Sequence, residues 1–473
     1  MTGAAPAAVP AGRLLRRGEP GYEAARLDAV WNARKPDRFP AAILLAESAA
    51  EVAAGVRFAR AEGLRIGIRS GGHSFVGNGV RDDCLLIDLS GLTGVGFDPG
   101  SGLARVEPAA CGPEVNALLA RYGRYFPSGH APTVGSGGYI LGGGYGWGSR
   151  KWGPACLSIV AIDVVLADGE LVHADDHSDP ELLWAARGSG PGFFGVVTAF
   201  YLKTYPVARR IQRTVHSFPL SLRDEVLGWS YDVLPSLAPE VELSAKVGQS
   251  PGSDVHTVDL TATAFLSADC DDDVLAAVDA VPMRDHALRS RVRVESSLGD
   301  LYELADALTP KGLRWSFDGI WCDAPAGEVL AAAEPMFESI PSSGLSFVLW
   351  LLWGGYPEQD NACWSVQAPL YLSPNAGCWD QDDDLVHETW AHESLRDIQH
   401  LSRGVQFSDN NLADRWDHGL SPGNAARLEQ IRRRYDSDAL FHSYMAPAES
   451  TTALALARRA SRPAATAPGP GRR

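Results

Sequence analysis

Arg69-Ser-Gly-Gly-His-Ser-Phe75 follows the alternating apolar positions Leu64, Ile66 and Ile68, so a strand delivers the chain to a glycine turn with one imidazole at its tip. Such a turn lets backbone lie against a flat or phosphorylated ligand while the histidine projects toward it. A second glycine-rich stretch, Gly135-Ser-Gly-Gly-Tyr-Ile-Leu-Gly-Gly-Gly-Tyr-Gly-Trp-Gly148, comes later. It has no Gly-Lys-Ser/Thr and is no P-loop, and the strand, helix and downstream acidic residue of a Rossmann turn fit it poorly. Backbone N–H groups of a loop like this can instead surround a pyrophosphate.

Around these turns the chain reads as an α+β layout. Ser48 with Glu51 forms a capping box for a helix whose apolar face is Val52, Val56 and Ala59, and Gly63 stops it. Cys84 to Leu89 is a short buried strand, and Pro113 opens a helix closed by Gly123. Ile159 to Ala167 reads as a strand turning at Asp168-Gly169. Farther on, Thr257 to Phe265, Phe347 to Trp353 and Cys363 to Leu372 read as strands, with a helix over Leu330 to Phe337. That pattern suits an antiparallel sheet with covering helices. Ser421-Pro422 caps a last helix carrying Leu428, Ile431 and Tyr435.

With 473 residues, two domains are expected. The composition, 45% hydrophobic and 21% charged, is that of a folded protein. A formal charge of −16 without a basic run argues against nucleic acid and anionic lipid as partners. Seven scattered cysteines show neither C-x-x-C nor finger spacing, which supports no disulfide framework and no metal site and fits buried thiols in a reducing compartment. With no secretory pattern at the start and no long apolar run, a cytoplasmic protein without a membrane span is expected.

Taken in order, the glycine segments resemble the FAD-binding fold of the p-cresol-methylhydroxylase/vanillyl-alcohol-oxidase superfamily, and within it the berberine-bridge-enzyme-like oxidases. The likeness extends through Pro132-Thr-Val-Gly135, Arg150-Lys151-x-Gly153, Ala167-Asp-Gly169, Asp179 to Gly188, Gly195-Val-Val-Thr198 and the final helix into Leu440-Phe441. It implies a two-subdomain FAD-binding PCMH-type fold over 13–210, completed by 396–450, and a substrate domain over 211–395. Residues 1–12 and 458–473 read as disordered tails. The resemblance implies a bond from His73 to the flavin 8α-methyl carbon. It also implies that Arg69, Ser70, Gly71, Gly72, Ser74, Pro132, Thr133, Val134, Gly135, Gly137, Gly138, Tyr139, Gly142, Gly143, Gly144, Gly146, Gly195, Val196 and Val197 hold FAD.

Two departures from the family pattern carry consequences. Many relatives add a second link through a cysteine where this chain has Ala131, so a single histidyl link is implied; His130, one position off, is no replacement for it. Relatives also carry a Tyr-x-Asn motif whose tyrosine often serves as base, and here Val405 and Gln406 stand near those positions. General-base help is worth about 10²–10⁴ in rate. Tyr139 and Gln406 are the catalytic candidates; Tyr371 is, with Tyr139, a possible substitute base, and Lys311 and His392 are remoter ones. A substrate with an already acidic C–H or O–H, such as a β-dicarbonyl compound, needs no base. Val134 resembles the oxidase form of the residue over the flavin face, which implies O2 as reoxidant. The resemblance therefore implies an FAD-dependent oxidase passing hydride from a small secondary-metabolite substrate to flavin N5. An FAD-retaining cyclase or isomerase without net redox turnover is the alternative, and a flavin-containing binding protein a further one. Trp315, Trp321, Trp350, Trp353, Trp364, Tyr371 and Trp379 either line a pocket for a large aromatic ligand or fill core.

Overall fold

Ser48 Oγ accepts the Glu51 N–H (3.3 Å) at the head of the helix Ala49–Glu62, and Gly63 ends it with φ 68°. The computed structural model describes residues 13–249, 255–267, 273–342, 345–413 and 418–461. The capping box is half made, because the Glu51 carboxylate takes the N–H of Glu47 (2.7 Å) rather than that of Ser48. Val52, Val56 and Ala59 pack this helix on a four-stranded sheet ordered Leu14–Arg16, Ala42–Leu45, Leu85–Asp88, Ile66–Arg69. The last three strands run parallel, so the Arg69 turn leaves from a carboxyl end, where open parallel sheets hold their ligands. The returning chain closes the free edge. Ile66 donates to the Leu440 carbonyl and His442 to the Ile66 carbonyl, both at 2.8 Å.

A five-stranded antiparallel sheet follows, ordered Val95–Asp98, Leu103–Val106, Val196–Lys203, Ile159–Val165, Leu171–Ala174. Its Val165 and Val196 join the core beneath the first helix.

The third sheet, nine-stranded among the described residues, roofs these layers. Its central strands are His256–Leu266, Val241–Gln249, Leu345–Leu352 and Leu370–Cys378. Helices Arg223–Val233, Ala326–Glu338 and Asp384–Arg396 cover one face. Strand alternation decides the rest. Leu370, Leu372 and Ala376 enter the core under those helices, while Tyr371, Ser373 and Asn375 face a cavity on the opposite side.

Three expectations are corrected here. Cys363 to Leu372 is not one strand, because the N–H groups of Cys363 and Trp364 are taken by the carbonyls of Trp184 (3.0 Å) and Arg187 (2.8 Å); the strand begins at Leu370. Ser402–Gly404, counted from sequence with the returning segment, pairs with Ile320–Cys322 as the end strand of the roof. The tail expected from 458 begins later. The helix Ala453–Ala460 is capped by Thr452, buries Leu454 and Ala455, and pairs Arg458 with Glu393. The remaining tail residues, 1–12 and 462–473, lie outside the described residues. The six described cysteines are free, and no helix among the described residues is long and apolar enough to cross a membrane.

A polar clamp ties the roof to the second glycine segment. Glu242 on the roof accepts the Gly148 N–H at 2.6 Å, and Arg150 donates to the carbonyls of Val241 (2.6 Å) and Ala238 (3.0 Å). Burial raises the Glu242 carboxyl to about 8 from an ordinary 4.5, against the pull of those N–H groups and of Arg150. Folding therefore takes up a proton across that window, and stability falls as pH rises through it. Glu242→Gln keeps the acceptor and removes the titration. Thermal melts of the variant should match wild type near pH 5 and lie a few degrees above it near pH 9.

Candidate active site

The two glycine turns meet backbone to backbone. A Cβ on Gly71 would stand 2.5 Å from the Gly135 nitrogen, and one on Gly135 would stand 2.9 Å from Gly71 Cα. Neither position has room for a side chain. Ser70 Oγ adds a link by accepting the Gly138 N–H at 3.3 Å. Between these turns and the roof lies a cavity of about 410 Å³, within the range of small-molecule sites.

Most of the expected cofactor residues border it. From the first turn these are Arg69, Ser70, Gly71, Gly72, His73 and Ser74; from the second, Val134, Gly135, Gly137, Gly138, Tyr139 and Gly142; Gly195 and Val197 complete the set. Pro132, Thr133, Gly143, Gly144, Gly146 and Val196 lie off the wall. Alternation turns Val196 into the core below. Gly143, Gly144 and Gly146 form the turn behind the wall, where a Cβ on Gly146 would meet the Ser128 carbonyl at 1.9 Å.

Thr133 acts one step back, on His73. Its Oγ1 lies 2.9 Å from His73 Nε2, and the imidazole stacks on Trp31 with ring centroids 4.9 Å apart. One edge of His73 opens to the cavity while protein surrounds the rest. Burial drives its pKa down to about 4, with Thr133 opposing and Arg69 assisting. The ring is neutral at physiological pH and keeps a lone pair.

The catalytic candidates separate on geometry. Tyr139 borders the cavity, but its hydroxyl donates to the Pro127 carbonyl (2.8 Å), and burial pushes the phenol far above its usual range. This geometry does not suit a base, and the role assigned to Tyr139 is corrected accordingly. Gln406 is on the wall and largely buried, placed to hydrogen-bond a ligand but not to titrate. Tyr371 faces the cavity and donates to Asn410 Oδ1 at 3.4 Å, whereas His392 and Lys311 are off the wall, His392 held by Asp318 at 3.0 Å. The tryptophans prove to be core. Trp315, Trp321, Trp350, Trp353 and Trp364 are buried away from the cavity, and Trp379 is exposed on the surface.

Sequence reading missed part of the wall. His130 borders the cavity with its ring edge-on to Trp147, and burial lowers it to about 4. Asp409 borders it too, three residues past Gln406. Neither carries a local signal, since only the fold sets them facing inward.

The wall fits an FAD. It is backbone-rich on the glycine side, and it offers two buried polar atoms without a protein partner, Arg69 Nε and Ser408 Oγ. A cation beside turn N–H groups suits a pyrophosphate.

Known proteins agree with this geometry. The FAD binding domain family matches residues 40–175. The FAD-linked oxidoreductase ptmO of Penicillium ochrochloron is 30% identical over 426 residues, 89% of this chain and 94% of that protein. Among solved structures, 6-hydroxy-D-nicotine oxidase from Arthrobacter nicotinovorans superposes with a TM-score of 0.80 at 22% identity, covering 93% of this chain and 99% of that one. The BBE-like 1 protein of Physcomitrella patens gives 0.77 at 18% identity, covering 93% and 97%. Gly71→Ala should force the two turns apart at a cost of about 1–3 kcal/mol. Purified variant should show a lower Tm and a lower ratio of flavin to protein absorbance than wild type.

Proposed function

Because the chain belongs to the FAD-linked oxidoreductases of the berberine-bridge-enzyme-like family, we propose that it holds FAD through a single histidyl link and oxidises a small molecule beneath its roof. FAD bound here supplies the redox chemistry, accepting hydride at N5 and passing the electrons to O2 to give hydrogen peroxide. The observation that carries the reading is His73, neutral and stacked, at the edge of a cavity walled by both glycine turns.

Each wall residue has a part. His73 would tether the flavin at its 8α carbon. With Nε2 engaged by Thr133, Nδ1 is the nitrogen left for that bond. Ala131 has no sulfur, so no second thioether forms. Val134, on the wall beside Gly135, leaves room for oxygen to approach. On the roof, Asn375, its amide nitrogen held by Ser373, offers its Oδ1 to a substrate, while Leu349 and Phe317 exclude water from the reacting centre. Residues 13–210 with the returning segment would hold the cofactor, and the roof the substrate. In the middle segment Trp315, Trp321, Trp350, Trp353 and Trp364 are spent on core, and of its aromatics Tyr371 and Phe317 face the cavity.

Acid precipitation separates bound from tethered flavin. The wild-type pellet should be yellow, and the His73→Ala pellet colourless with its flavin in the supernatant. Thr133→Val should slow incorporation of the covalent flavin without abolishing FAD binding. A colourless wild-type pellet would end the covalent reading. Val134→Leu should slow reoxidation by O2 in stopped flow and leave anaerobic reduction unchanged.

A further inference from the structure

The cavity holds one carboxylate that the family pattern does not account for. Asp409 is on its wall, and among the described residues it makes no hydrogen bond or ion pair. Its side chain is partly accessible and borders the cavity. An acid placed on a cavity wall, perturbed by burial and without a protein partner, is a candidate for work on a bound ligand. Both flanks of Asp409 are pinned. Phe407 stacks on Tyr444 with centroids 5.2 Å apart and packs on Gly190. Asn410 donates to the Gly319 carbonyl at 2.7 Å and to the Asp318 carboxylate, tying this segment to the roof. The missing tyrosine of the Tyr-x-Asn motif lies in the same segment, where Val405 is buried and Gln406 cannot titrate.

The geometry points to Asp409 as the proton acceptor of the oxidation, in place of that tyrosine, with a hydroxyl-bearing substrate. This rests on the oxidation reading above. The substrate O–H bond breaks and its proton goes to a carboxylate oxygen. The hydrogen on the adjacent carbon leaves with its electron pair to the flavin, and the C–O bond becomes a carbonyl.

Burial alone raises the Asp409 carboxyl to about 6. The other titratable groups on the wall are Arg69, His73, His130, Tyr139, Tyr145, Tyr371 and His442. Arg69 is paired with Asp88 at 2.9 Å, and burial holds the three histidines down to about 4. Among the described residues on the wall, then, no free cation offsets Asp409, which poises it near the working pH.

The test uses holoenzyme, wild type, Asp409→Asn and Asp409→Glu. Infrared titration without substrate should show a neutral carboxylic acid band in wild type that disappears as pH rises through about 6. The Asn variant should lack that band. Anaerobic reduction is then followed by loss of flavin absorbance with a panel of benzylic, cyclic secondary and sugar alcohols. The Asn variant should keep its covalent flavin and its substrate affinity, reduce about 10²–10⁴ more slowly, and lose the rise in rate across pH 6. The Glu variant should recover part of the rate. An unchanged reduction rate in the Asn variant overturns the proposal, as does a rise in dissociation constant with the rate intact, which would make Asp409 a binding group only. If no alcohol bleaches the wild-type flavin, the alcohol-oxidation reading fails first, and the base assignment fails with it.

Discussion

Everything at the site depends on the approach of Gly71 to Gly135, where two turns distant in sequence touch through their backbones. Glycine there is a requirement of distance, because a methyl group has nowhere to go. The contact sets one turn at the carboxyl end of the parallel sheet and the other at the head of the short helix Ser136–Leu141. With the two in register, His73 and Val134 border the same space. The cavity is therefore a product of backbone packing, and its side chains are set on a frame already fixed.

That frame creates an electrostatic environment. His73, His130 and His442 all border the cavity, and burial makes each of them neutral. Among the described residues, three neutral imidazoles and an arginine paired through one nitrogen with Asp88 leave little positive charge to offset an acid on the wall. The same desolvation that keeps the His73 lone pair available holds the Asp409 proton longer than water would. Imidazole and acid are tuned by one cause.

The sequence made the glycine turns, the capping Ser48, the hairpin at Asp168-Gly169 and two of the roof strands, those over Thr257 to Phe265 and Phe347 to Trp353, legible, because each rests on local chemistry. It misjudged Cys363 to Leu372, whose apolar alternation looked like sheet until Trp184 and Arg187 offered nearer carbonyls. It gave the tryptophans no assignment between pocket and core, since periodicity says which face a residue shares and not what that face meets. Tyr139 was the opposite case. Its position beside the flavin turn was legible, but the Pro127 carbonyl that takes its hydroxyl is a tertiary fact. Asp409 and His130 were invisible as wall residues for the same reason.

The Glu242–Arg150 clamp has a consequence for how the molecule comes apart. One roof carboxyl grips an amide of the glycine segment, and one arginine of that segment grips the strand and turn from which the carboxyl projects. Loosening either layer uncouples polar groups on both sides at once. Calorimetry should accordingly record a single cooperative endotherm rather than two overlapping ones, with the layers losing their order together.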